Sequence, residues 1–208
     1  MTRGHTGRVV TEETVQRHSD GRIARGERTR DAIVEAHAGL LREGVLKPTA
    51  KVIAERAGVS PRTLWLNFKD LETLLEATTA YWLDADAALR RPIDAELPLP
   101  QRIELYCDQR VSRLEHIAPA ARSSGLGEPF SVALQRSRHE HVERSLQDLD
   151  ATFGPELEAA GADRTILADA LFAASSWPAW SSLRDDLGLD VDAAAAILRT
   201  TLSRLLGA

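Results

Sequence analysis

Apolar residues recur three and four positions apart along almost the whole chain, and Val, Ile and Thr nowhere alternate with polar residues for long. That pattern predicts an all-α protein. A first helix is expected over about 28–43, with Ile33, Ala36, Leu40 and Leu41 on one face and Gly44 as its stop. The second opens after Thr49, a good N-cap, and closes at Gly58, which suits a left-handed C-cap. Ser60 caps the third, with Pro61 at N1 where a missing N–H costs nothing. Asp70 caps a fourth bearing Leu71, Leu74, Leu75, Thr78, Trp82, Ala85 and Leu89, and RPIDAELPLP (91–100) ends it. Beyond lie a stripe of Ile103, Cys107, Val111 and Leu114, an expected loop at 122–129, and a stripe of Val142, Leu146, Leu149 and Phe153 closed by Gly154 and Pro155. A helix over about 163–186 should kink at Pro178, and a last one starts near Asp190.

The stretch IAERAGVSPRTLWLNF, residues 53–68, holds two short helical patterns with a stop signal between them. Its length and punctuation are those of a helix-turn-helix. Ile53, Ala57, Val59, Leu64 and Phe68 would pack inward, leaving Arg62, Thr63 and Asn67 outward, where a helix can enter the major groove of DNA. The starts of the second, third and fourth helices offer N–H groups suited to phosphate. An ordinary helical hairpin has the same pattern, so the charge distribution matters. The 208-residue chain carries a net charge of -5, yet residues 22–69 hold ten basic side chains against five acidic ones. Residues 70–208 hold thirteen against twenty-three. A basic N-terminal part before an acidic remainder is the footprint of a surface built for a polyanion.

From Thr29 to Leu75 the sequence resembles the DNA-binding domain of the tetracycline-repressor (TetR) family of bacterial regulators. The residues that carry the likeness are TRDAIVEAHAGLLREG, then PTAKVIAERAGVSPRTLWLNF, then KDLETLL. The resemblance implies an N-terminal three-helix DNA-binding domain with helix-turn-helix (28–75), followed by a helical ligand-binding and dimerisation domain (76–208), behind a flexible arm (1–27). It places Thr49, Thr63 and Trp65 at phosphates, with Trp65 standing where the family usually has tyrosine, and Ser60 is a further DNA-binding candidate. Arg62 and Leu66 fall at base-facing positions, and Arg62 can bond a guanine edge with two hydrogen bonds. Asn67 stands where histidine or tyrosine is frequent. Where the family carries a phosphate-binding lysine this chain has Leu71, with Lys69 nearby as the substitute. In the arm, Arg22 and Arg25 are the candidates for a minor-groove contact, although a disordered leader is the plainer reading.

The same resemblance implies that the last two helices pair with those of a second subunit. WPAWSSL and AAAAILRTTLSRLL spread aromatics, leucines and small residues over wide faces, which points to Leu183, Val191, Ala195, Leu198, Leu202 and Leu205 as interface residues of a homodimer. An intramolecular core is the competing reading. The family encloses a small-molecule effector among its middle helices, for which this chain offers Tyr106, Arg110, Phe130, His141, Phe172, Trp177 and Trp180. Arg110, near the inner stripe, needs a carboxylate partner or an anionic ligand.

No apolar run approaches the roughly 18–20 residues needed to cross a bilayer and the N-terminus lacks an apolar signal centre, so a cytoplasmic location is expected. Cys107 has no disulfide partner and reads as a buried small hydrophobe. His139 and His141, two apart, face different sides of a helix and make a poor metal pair. No phosphate-cradling glycine loop or nucleophile signature is present, so neither catalysis nor a cofactor or metal is expected. The sequence thus leads to a ligand-responsive regulator, a repressor of operator DNA. The alternative is a helical enzyme or small-molecule-binding protein whose helix-turn-helix is structural.

Overall fold

The computed structural model describes the backbone of residues 12–208 and the side chains from residue 24 onward, and among these residues every regular element is helical. The helices are α1 (Glu12–Arg42), α2 (Ala50–Arg56), α3 (Pro61–Asn67), α4 (Leu71–Leu89), α5 (Leu99–Gly127), α6 (Val132–Ala159), α7 (Arg164–Ala174), α8 (Trp177–Ser181) and α9 (Val191–Leu206). A π-helical turn, Ser182–Asp186, follows α8.

The short helices near the N-terminus form because local signals start and stop them. Thr49 accepts from the Val52 amide, Ser60 accepts from the Thr63 amide at 3.1 Å, and Pro61 occupies the first turn of α3. The chain turns between α2 and α3 at Gly58, whose φ of 68° lies where a β-carbon is penalised. Helices of seven residues are unstable alone, so packing must hold them. Ile33, Val34 and Leu40 of α1 meet Ile53 and Ala54 of α2, Leu64 of α3, Phe68 and Leu74 of α4 in one buried cluster. Burying each of the larger side chains contributes about 1.5–3 kcal/mol.

The rest of the molecule is organised around α5. One side packs Ile103, Tyr106 and Cys107 against Leu149, Phe153 and Leu157 of α6, Leu171 of α7, and Leu198 and Leu202 of α9. Further along, Leu114 and Ile117 meet Trp180, Ala194 and Ala195. Arg113 ties three helices together: its Nε and Nη2 bond both oxygens of Asp86 on α4, at 2.9 and 2.7 Å, and its Nη1 bonds Asp148 on α6 at 2.6 Å. Arg102 makes a second fork to Glu156, at 2.7 and 2.6 Å.

Four boundaries differ from the sequence expectation. The first helix begins at Glu12 rather than near residue 28, so that residues 12–27 of the expected arm are helical and continuous with it; no proline interrupts them, and residues 1–11 lie outside the described residues. The expected loop at 122–129 is largely the end of α5, held because Ser123 donates to the Leu46 carbonyl at 2.7 Å and Arg122 pairs with Asp185 at 2.7 Å. The stripe expected to close at Gly154 and Pro155 does break there, at Phe153 (φ −118°, ψ 19°), but a further helical stretch follows across the kink to Ala159. Pro178 does not kink a helix over 163–186. α7 has already ended at Ala174, and Pro178 lies in the first turn of α8, where it is tolerated.

Candidate functional site

Two places on the molecule have the makings of a site. The first is the outer side of α2 and α3. Leu64 and Phe68 point fully inward, while Arg62 is exposed, Trp65 is 42% exposed and Leu66 is 74% exposed. Among the described residues, no carboxylate lies within ion-pair distance of Lys51, Arg62 or Lys69. Arg56 differs, since Glu43 holds it by a two-pronged contact of 2.9 and 2.6 Å. Thr63 shares its hydroxyl with Ser60 at 2.9 Å, and the Asn67 side-chain amide donates to the Thr63 carbonyl at 2.8 Å. One of the two Asn67 amide donors is therefore occupied within its own helix. From α1, Arg30 donates to the Asn67 carbonyl at 2.8 Å and stacks 4.1 Å from the Phe68 ring, fixing the end of α3.

The start of α4 does not offer the phosphate grip expected at a helix N-terminus. Asp70 accepts from both the amide and the hydroxyl of Thr73, each at 2.8 Å, and these bonds pull its carboxyl below the ordinary aspartate value. A fixed anion thus occupies the place where phosphate would sit. Leu71 beside it is exposed and Lys69 precedes it, also exposed. On α1, Arg25 is exposed; the side chain of Arg22 lies outside the described residues.

The second place is a cavity of about 520 Å³ enclosed by α1, α4, α5, α6, α7 and α8. Four of the seven residues expected at a ligand line it: Arg110, His141, Phe172 and Trp177. Tyr106 is buried in the core behind, donating to Ser175 Oγ at 3.2 Å and lying edge-on to Phe153. Trp180 is buried too, its indole N–H given to Glu115 at 2.8 Å. Phe130 is 90% exposed and lines nothing, because it ends the 3₁₀ turn Glu128–Phe130 on the surface. Sequence reasoning missed His37, Thr78, Trp82 and Asp86, which also line the cavity. Trp82 and Thr78 sat in the predicted α4 stripe, and His37 followed Ala36 on the apolar side of α1; the pattern marked them as inward without separating core from cavity wall.

The two histidines of the wall are kept uncharged. Burial lowers the pKa of His37 to about 4. Thr78 gives its one hydroxyl proton to the Leu74 carbonyl at 2.9 Å, so His37 Nδ1 must be the donor in their 3.0 Å contact. Burial, followed by the positive charge of Arg110, lowers the His141 pKa to about 4 as well. Arg110, 2% exposed, donates from Nε to the Ser175 carbonyl at 2.7 Å, but its Nη2 has no partner in the protein. The ion pair expected as its alternative is absent, since Arg113 takes Asp86 and shares Asp148 with Arg90. Cys107 lies at the buried face of α5, its thiol pushed up to about 12 by burial, as befits a small hydrophobe.

The expected dimer residues divide. Leu202 is 0% exposed and, with Leu198, fills the α5–α6–α7 core of the same chain, while Ala195 packs beside Trp180. These three are corrected from interface to internal core: the apolar face of α9 has its partner in α5. Leu183 and Val191 are half-buried on the same cluster, and Leu205 is partly exposed. The outward apolar residues at this end are Ile166 on α7, Leu187, and Ile197 with Leu205 on α9.

No helix of the described residues is long and apolar enough to cross a membrane, and no cluster of His, Cys, Asp or Glu among them could hold a metal ion. In comparisons with known proteins, no family model, curated protein or solved structure matches the chain.

Proposed function

We propose that the protein is a ligand-responsive transcription regulator of the tetracycline-repressor type, a repressor that binds near-palindromic operator DNA as a homodimer. The observation that carries this reading is the two-sidedness of α3: one side anchored by Leu64 and Phe68, the other presenting Arg62, Trp65 and Leu66 to solvent. A rigidly held helix with an unpaired arginine and apolar neighbours is suited to base edges and thymine methyls in the major groove. Lys51, Lys69 and the capped starts of α2 and α3 then serve the phosphates, which position the helix without reading sequence. Ile197 and Leu205 on α9 and Ile166 on α7 are exposed apolar residues, available for two copies to pair through.

The cavity supports the ligand-responsive part. His37 and Leu41 of α1 and Leu75, Thr78 and Trp82 of α4 belong to its wall, and the same two helices build the core under α3. A ligand that fits one placement of α1 and α4 better than another shifts the separation of the two recognition helices in a dimer.

A helical ligand-binding protein without DNA recognition is the second reading, favoured by Asp70 and Leu71 standing where a phosphate grip is needed. Selection from a pool of randomised duplexes separates the two. The regulator should enrich a two-fold symmetric site, and its affinity for that site should fall steeply with salt as counterions are released. Recovery of the pool without enrichment would leave the second reading standing.

A further inference from the structure

Arg110 is the most conspicuous polar group that the fold does not account for. A guanidinium keeps its proton in proteins and has donors only. Here it is 2% exposed, with Nε spent on the Ser175 carbonyl and Nη2 unpartnered in a cavity wall. No carboxylate pairs with it directly. The buried cluster holds Arg110 and Arg113 against Asp86 and Asp148, with the exposed Arg90 reaching Asp148 from its edge. Both carboxylates are already held by the other two arginines, so Arg110 feels them only at longer range. Of the other carboxylates of the wall, Glu128 pairs with Arg138 and Asp186 accepts from Ser182, and neither bonds Arg110.

A second orphan lies on the same wall. The Trp82 indole N–H, also a donor only, has no acceptor in the protein. Both orphans therefore ask for acceptors, and one of them asks for a negative charge. The remaining wall is largely apolar, with Leu41, Leu75, Leu83, Ile117, Val142 and Phe172 facing the space. Its volume of about 520 Å³ suits a small organic molecule.

We infer that the cavity takes an amphipathic organic carboxylate, its charged head on Arg110 and its apolar body along the leucine and aromatic wall. The inference deepens the reading of the cavity as the effector site and rests on it for its regulatory meaning. The carboxylate gives Arg110 the direct partner it lacks, and two parallel hydrogen bonds from a guanidinium are the strongest way to hold one. His141, also in the wall, is held neutral by burial and by the charge of Arg110, and its Nε2 has no partner in the protein, so it adds a hydrogen bond without adding charge.

The test uses the full chain with no DNA present, so that failure of DNA recognition leaves it untouched. Decanoate and decan-1-ol, which share an alkyl chain, are titrated calorimetrically into the wild-type protein and into Arg110→Gln and Arg110→Lys. Decanoate should bind the wild type at least about tenfold more tightly than the alcohol, a preference set by the charge-assisted pair. Arg110→Gln should bring that ratio close to one, and Arg110→Lys should keep part of it. Circular dichroism establishes that each variant is folded; the wild-type ratio needs no variant at all. Equal binding of acid and alcohol, or no binding of decanoate, overturns the ligand class. A wild-type preference that survives Arg110→Gln overturns the role of Arg110.

Discussion

The N-terminal head and the body behind it solve the burial problem in opposite ways. The head hides an almost purely apolar cluster and leaves its arginines and lysines on the surface, where Arg62 and Lys69 are exposed. The body draws Arg102, Arg110 and Arg113 inside together with Asp86 and Asp148. Buried charges add little net stability compared with apolar packing, but removing one partner is costly. The contrast teaches where chemistry sits: the head is equipped to act outward through α3, the body inward through its cavity.

The sharpest way to break the contrast is to remove a buried charge. Arg113→Ala would strand Asp86 and leave Asp148 only its contact with Arg90, and should cost about 3–5 kcal/mol in denaturant unfolding. Leu202→Ala, which empties a fully buried site in the body core, should cost about 2–5 kcal/mol and leave the oligomeric state on a sizing column unchanged. A shift to monomer without loss of stability would return Leu202 to an interface.

The cavity histidines give a pH signature that the head lacks. Because burial holds His37 and His141 near about 4 against an ordinary 6.5, the unfolded chain binds more protons between those values. Their contribution to stability is complete above about 6.5 and is lost as pH falls towards about 4. Replacing His37 by Gln should flatten the fall in melting temperature across that window. The smallest effect belongs to the head: Ser60→Ala removes the α3 cap and should cost about 1 kcal/mol.

How much of this was legible in the sequence depends on how far each signal reaches. Thr49, Ser60, Asp70 and Asp190 cap helices as their local context dictates, and Gly58 turns the chain with positive φ, because caps and turns involve neighbours a few residues away. The apolar stripe of α9 was equally legible, but its partner was not. Leu198 and Leu202 look the same in sequence whether they face a second chain or α5, and only the tertiary arrangement decides. Pro155 marked a real break, at the single non-helical residue Phe153, but not the further helix beyond it; Pro178 misled, because a break at Ser175 and Ser176 already precedes it. Within the cavity, Arg110 was legible as a charge in need of a partner, whereas Arg113, three residues on, takes the carboxylates that sequence reasoning had no means of allotting.

The central claim is that the outward edge of α3 reads base sequence through Arg62. It is tested most directly by measuring, for wild type and Arg62→Ala, the affinity for the selected duplex and for a set of single-base variants of it at fixed salt. The account predicts a folded variant of unchanged melting temperature that loses about 1–3 kcal/mol of discrimination at one position in each half-site and keeps its preferences elsewhere. An unchanged specificity profile, or a uniform loss across all duplexes, would contradict it.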